Sequence, residues 1–146
     1  MDWPTLSVII PTYQRETVLC DTLDSILAQD YPHCEVIVVD QTQTHQIETQ
    51  QRLTELAQAG RIMLYTVTWA SLPAARNLGI ERSSGEIVLF IDDDVVLPPG
   101  YLQAHARIFM DRPEVGAVAG RVFDRMKLAE QRDLEIDYLP PEAMDP

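Results

Sequence analysis

The chain has 146 residues, 46% of them hydrophobic, enough for one domain with a sizeable core. Its net charge of −12, from 23 acids against 11 bases, repels phosphate backbones and argues against nucleic-acid binding as a main function. No apolar run reaches the ~18 residues of a membrane-spanning helix, and the opening "MDWPTLSVIIP" lacks the basic start and the length of an export signal, so a cytoplasmic location is expected, with a longer parent protein free to sit peripherally on a membrane.

Residues 5–13, "TLSVIIPTY", form a short β-branched run stopped by Pro11 and read as a buried strand. Val18, Leu19, Thr22, Leu23, Ile26 and Leu27 then recur at helical spacing, and Asp30, Tyr31 and Pro32 end that helix. "CEVIVVD", residues 34–40, is a second strand. Residues 44–59 read as a polar helix with Ile47, Leu53 and Leu56 inward and Gly60 as its stop. Residues 61–67 give a third strand. Ser71 can cap a helix over "LPAARNLGIERS", with Pro73 in the first turn where no amide donor is missed. "GEIVLFI", residues 85–91, is a fourth strand. After Pro98 and Pro99 a helix turns Leu102, Ala106 and Phe109 inward and stops before Pro113, and "VGAVAGRV", residues 115–122, reads as a fifth strand.

Strands that are apolar at successive positions are buried on both faces, and helical crossovers between them imply a mostly parallel, doubly wound α/β sheet. Cys20 and Cys34 fit no CxxC pattern and read as free thiols. His33, His45 and His105 lack metal-type spacing and read as surface or satisfied histidines. Beyond residue 122 the pattern decays into an acidic, proline-containing tail, residues 123–146.

In an open α/β sheet, ligands bind outside the carboxyl ends of the strands. The residues that follow strand one are Pro11, Thr12, Tyr13 and Arg15. Strand two ends in Asp40, and strand four runs into Asp92, Asp93 and Asp94. Three adjacent carboxylates repel one another unless something positive lies near. A hard divalent cation such as Mg²⁺ or Mn²⁺ meets that need with carboxylate oxygens, an acidic turn is the plainer reading, and a protonation-coupled role is a third. Alternation along a strand would set Asp92 and Asp94 together and Asp93 apart. Arg76 lies in the first turns of the helix capped by Ser71, where anions are favoured; its plainer reading is an exposed arginine paired with a carboxylate such as Glu81. Asn77 and Gly79 read as packing and capping residues.

In order and spacing, "SVIIPTYQR", "EVIVVD", "LPAARNLGI" and "GEIVLFIDDDVVLPPGYL" resemble family 2 glycosyltransferases of the GT-A fold, a Rossmann-like nucleotide-diphospho-sugar transferase architecture. The resemblance covers residues 5–122, which implies a donor-binding domain over 1–122. It implies that Pro11, Thr12 and Tyr13, with Arg15 beside them, line the nucleobase and ribose, that Asp40 accepts a hydrogen bond from the base, and that Arg76 faces the base or diphosphate. Asp92 would meet ribose and metal, Asp94 would hold Mn²⁺ or Mg²⁺ through the diphosphate, and Asp93 would serve the sugar or the loop. The implied reaction is inverting, metal-dependent transfer of a sugar from a nucleoside-diphosphate donor, a UDP-type donor foremost, to an unknown acceptor hydroxyl.

Two departures stand out. The family often continues D-G-S after the second strand, where this chain reads "DQTQT" with Gln41 and Thr42. The acceptor half, which supplies the catalytic base, has only 24 residues of room after Val122; Glu135 and Asp137 are acidic, but nothing places either as a base. The expectation is a donor-binding portion, weakly active or inactive alone, with residues 123–146 the start of an acceptor half or a disordered tail. The alternative is a non-catalytic module that binds nucleotide sugar or a protein partner. A phosphoacceptor receiver domain is disfavoured because strand one ends without acids. A nucleotidyltransferase is disfavoured because "PTYQRET" has no glycine to cradle a triphosphate.

Overall fold

The computed structural model describes residues 2–123. Chain contacts divide it into Met1–Gly116 and Ala117–Pro146. All the regular elements described fall in the first unit: β1 Leu6–Thr12, α1 Thr17–Leu27, β2 Cys34–Asp40, α2 Ile47–Gln58, β3 Met63–Thr66, α3 Leu72–Arg82, β4 Ile87–Phe90 and α4 Tyr101–Asp111. They form a four-stranded sheet in the order β3-β2-β1-β4. Every pairing is parallel: Leu6 stands opposite Cys34 and Ile87, and Ile37 opposite Met63.

The two faces of the sheet follow from alternation along each strand. Leu6, Val8, Ile10, Val36 and Val38 belong to the larger core with Leu19, Leu23, Leu53, Leu56, Leu102 and Ala106, so α1, α2 and α4 cover one face. Ile9, Ile37 and Val39 pack with Ala75 of α3 on the other. That is why β1 and β2 read as continuous apolar runs: both faces are covered. The approach of α3 is close. A Cβ built on Gly79 would stand 2.3 Å from Ile9 Cγ2, so the glycine reading as a packing residue holds.

The strand order sets a switch point. From β1 the chain steps outward through β2 to β3, then crosses back by α3 to place β4 on the other side of β1. The crossover through α3 lies on the face opposite α1 and α2, so the winding reverses at β1, and such a reversal leaves a crevice outside the carboxyl ends of the strands there.

Pro11 contributes to that opening. It does not stop the strand, which runs on to Thr12. Leu6 N–H donates to His33 on the β2 side, while the Ile9 carbonyl accepts from Ile91 N–H on the β4 side. Pro11 shares the side of Ile9, and the β1–β4 pairing has ended at Ile9 and Phe90. The proline therefore removes no rung from the sheet as it stands.

Three expectations are corrected. Residues 115–122 form no strand, and most of that stretch is exposed. Two glycines weaken the run, and an apolar sequence reports burial potential, not the partner a ladder needs. Ile47 is 72% exposed, not buried. The helix starts at Ile47 rather than at residue 44, and Thr49, Leu53 and Leu56 form its inner face. Phe109 is half-buried, and His105 joins Leu102 and Ala106 inside. The tail assigned to residues 123–146, with Glu135 and Asp137, lies outside the described residues beyond Phe123.

Candidate functional site

A cleft of about 550 Å³ lies at the carboxyl ends of β1 and β4. Pro11, Thr12, Tyr13, Arg15, Asp92, Asp93 and Asp94 line one wall, and Gln41 with Ala70, Ser71 and Leu72 the other. A second cleft of about 530 Å³ lies among Thr5, His33, Ile87 and Phe109, at the amino ends of the same strands. Size does not separate the two. Position does, because α/β sheets take ligands at their carboxyl edge.

The wall from β1 is shaped by one strained residue. Gln14 adopts φ = 53°, a left-handed conformation uncommon for a residue with a Cβ. Its N–H donates to Thr42 Oγ1 at 2.9 Å. The chain turns there, and Arg15 comes back over the acidic triplet. Arg15 Nε donates to Asp93 Oδ1 and Nη2 to Asp94 Oδ2, each at 3.3 Å.

The triplet lies past the end of β4, with Asp93 and Asp94 in a turn, so strict alternation no longer orders it. Asp93 is the anchored member: Thr12 Oγ1 donates to its Oδ2 at 2.8 Å, and its side chain is 14% exposed. Asp94 and Asp92 are 48% and 66% exposed. The middle residue thus ties the loop to β1, and the outer two present carboxylates to solvent.

Arg76 stands in the first turns of α3, which Ser71 caps through Oγ accepting Ala74 N–H at 3.4 Å. Its partner is Asp92, not Glu81: Nη2 lies 3.4 Å from Asp92 Oδ1. The guanidinium carbon sits 5.6 Å from the centre of the Phe90 ring, within cation–π reach. Its Nε is buried and has no hydrogen-bond partner among the described residues. Arg76 reaches the cleft at the rim, through Asp92, and does not line it.

Asp40 also lies behind the lining. It is 3% exposed, its Oδ1 accepts Thr42 N–H at 2.9 Å, and its Oδ2 lies 2.8 Å from His45 Nε2. The other ring nitrogen of His45 lies 3.2 Å from Glu16 Oε1. Desolvation pushes the Glu16 carboxyl up, but hydrogen bonds from Thr49, the Gln46 N–H and His45 outweigh it and leave Glu16 below its ordinary value of 4.5. His45 is thus a satisfied histidine, as its spacing suggested. Gln41 stood out in the sequence only as a departure from the usual D-G-S, and Glu16 carried no signal.

Among the described residues there is no cluster of three or more His, Cys, Asp or Glu side chains able to hold a metal. Cys20 and Cys34 are free thiols, and no described helix is long and apolar enough to cross a membrane.

A family model described as Glycosyl transferase family 2 matches residues 7–142. The O-antigen biosynthesis protein RfbC of Myxococcus xanthus is 36% identical over 120 residues, which span 79% of this chain and 9% of that protein. The putative teichuronic acid biosynthesis glycosyltransferase TuaG of Bacillus subtilis is 30% identical over 109 residues, 75% of this chain and 43% of that one. Among solved structures, the mannosyltransferase PcManGT from Pyrobaculum calidifontis, in complex with GDP-Man and Mn²⁺, superposes with a TM-score of 0.68 at 29% identity. S. aureus TarS 1-349, in complex with UDP-GlcNAc, gives 0.66 at 26%. Each superposition covers 83% of this chain and 37% of the other. The chain therefore spans less than half the length of each of these relatives.

Proposed function

This chain belongs to glycosyl transferase family 2 and has the GT-A fold, and we propose that its cleft binds the nucleoside-diphosphate part of a sugar donor for transfer to an acceptor hydroxyl. The observation that carries the reading is the meeting of Thr12, Tyr13 and Arg15 with Asp92, Asp93 and Asp94 around one cleft at the switch point of the sheet. The neighbours solved with UDP-GlcNAc and with GDP-Man and Mn²⁺ support it. A UDP-type donor is our first choice, and residues 1–122 are the donor-binding domain.

In this reading Pro11, Thr12 and Tyr13 receive the base and ribose. Asp40 supports the base from behind the lining. Arg15 and Arg76 bracket the diphosphate, whose charge grows as the sugar leaves, and fixed cations aimed at that charge favour its departure. Asp93 holds the loop to β1 through Thr12.

The donor set suits Mn²⁺ or Mg²⁺. Asp92 and Asp94 offer hard carboxylate oxygens at an accessible rim, and their arginine contacts are exposed pairs that exchange at little cost. These two residues would hold the cation, which would supply Lewis-acid neutralisation of the leaving diphosphate. Two carboxylates leave the rest of its shell to water and phosphate oxygens, as such cations prefer.

Transfer is inverting in this reading and needs a base on the acceptor side, to which no described residue is assigned. The chain alone is expected to bind donor weakly and transfer little. Cytoplasmic placement, with the longer protein peripheral to a membrane, belongs to the same proposal. Calorimetry with UDP and GDP, with and without Mn²⁺, tests it. Metal-dependent binding that Asp94→Ala abolishes is the expected result. Binding of neither nucleotide would leave a protein-interaction module as the better reading.

A further inference from the structure

Gln41 stands where the chain departs from the usual sequence after the second strand, and it lies at the centre of the cleft's hydrogen bonding. It is 4% exposed. Its Oε1 accepts the Ser71 N–H at 2.6 Å, its Nε2 donates to the Thr12 carbonyl at 3.3 Å, and its own N–H donates to that same carbonyl at 3.0 Å. These bonds fix which end of the amide is which, since a flipped amide would face donor to donor and acceptor to acceptor.

The partners join two walls. Thr12 ends β1 and holds Asp93 through its hydroxyl. Ser71 caps α3, and α3 carries Arg76 to Asp92. The residues form a continuous path, Asp93–Thr12–Gln41–Ser71–α3–Arg76–Asp92, that encircles the opening. Gln41 is the one side chain in that path that bonds to both the β1 wall and the α3 wall. A glycine at this position would leave the Ser71 N–H without this acceptor.

We infer that Gln41 is a positioning residue: it sets the start of α3, and with it Arg76, at the distance from Asp92–Asp94 that a diphosphate requires. The inference rests on the nucleotide-binding reading above. It acts through Arg76, so the two residues are coupled in binding although no hydrogen bond among the described residues joins them.

The test joins amide hydrogen exchange to calorimetry on the 146-residue chain. The Ser71 amide belongs to an exposed residue, so slow exchange of its N–H reports the bond to Gln41; fast exchange in the unaltered chain overturns the inference even if no variant folds. Gln41→Met keeps the size and removes both bonds. With UDP and Mn²⁺ it is expected to weaken binding about ten-fold, the scale of one lost buried hydrogen bond. In an Arg76→Ala background the same change is expected to weaken binding by less than about two-fold, because coupled residues are non-additive. A general loss of structure would act in both backgrounds alike. Equal affinity for Gln41→Met and the unaltered chain, or an undiminished loss in the Arg76→Ala background, overturns the inference and leaves the nucleotide reading standing. Failure of the unaltered chain to bind UDP or GDP overturns both.

Discussion

The His45 ring lies 2.8 Å from the Asp40 carboxylate and completes a bridge to Glu16, 3.2 Å from its other nitrogen. The bridge ties the end of β2 to the residue that precedes α1. Ionised carboxylates only accept, so the bridge is fully satisfied when both ring nitrogens donate. The His45 side chain is 2% exposed and that of Asp40 4%, so water cannot replace the contact.

Removing the ring should therefore be costly. His45→Leu leaves Asp40 buried with the Thr42 N–H as its remaining partner, and an expected loss of about 2–3 kcal/mol follows. Urea unfolding measures it. The double variant with Asp40→Asn should lose less than the sum of the two single changes, since the second change removes the charge the first one stranded.

Acid should weaken the fold at two carboxyls, one of them in this bridge. The folded Glu16 carboxyl lies below its ordinary 4.5, as does Glu35, where desolvation is outweighed by hydrogen bonds from Ser7, Ser84 and Gly85. A depressed carboxyl contributes stability above its unfolded value, and that contribution disappears as pH falls through the folded one. The unfolding midpoint should hold steady above 4.5 and fall below it. Denaturation curves of Glu16→Gln and Glu35→Gln should show a shallower fall.

Gly79→Ala should destabilise although alanine favours helix by ~1 kcal/mol. The new methyl would meet Ile9 Cγ2 at 2.3 Å, so α3 must lift from the sheet or Ile9 must turn. A net cost of about 1–2 kcal/mol is expected from overpacking, measurable by thermal unfolding. Ile9→Val removes Cδ1 and leaves Cγ2, so it should rescue little.

Arg76→Lys separates charge from shape. The lysine keeps a positive charge but loses the planar contact over Phe90. Because the Asp92 pair is exposed, unfolding should change by less than about 1 kcal/mol. Affinity for UDP with Mn²⁺ should still fall about ten-fold, as titration calorimetry would register.

Much of the sheet was readable because β1 and β2 are covered on both faces, which forces unbroken apolar runs such as Val36–Val39. The caps of α3 were readable because Ser71 and Pro73 act locally. Residues 115–122 were misread because pairing is not local: an apolar run carries no mark of the strand it would join. The cleft wall from β1 and β4 was legible because strand ends concentrate polar residues on one edge. Gln41 and the Glu16–His45 pair were not, because their roles depend on partners 29 to 30 residues away. Asp93 is anchored to Thr12 while Asp92 and Asp94 face solvent, and the anchor was not legible because the chain leaves the strand before the triplet and turns.

The proline in β1 has one more effect. In the register of β1 with β4, the next rung would run from the amide of residue 11 to the carbonyl of Ile91, and an imide nitrogen has no proton to give. The zipper between the two strands halts at a point fixed by covalent structure, whatever β4 carries beyond it. Restoring that proton with valine would offer the sheet a further bond and draw the two strands together where the aspartates now fan out. At residue 11, cohesion of the sheet and room for a guest are opposite settings of a single atom.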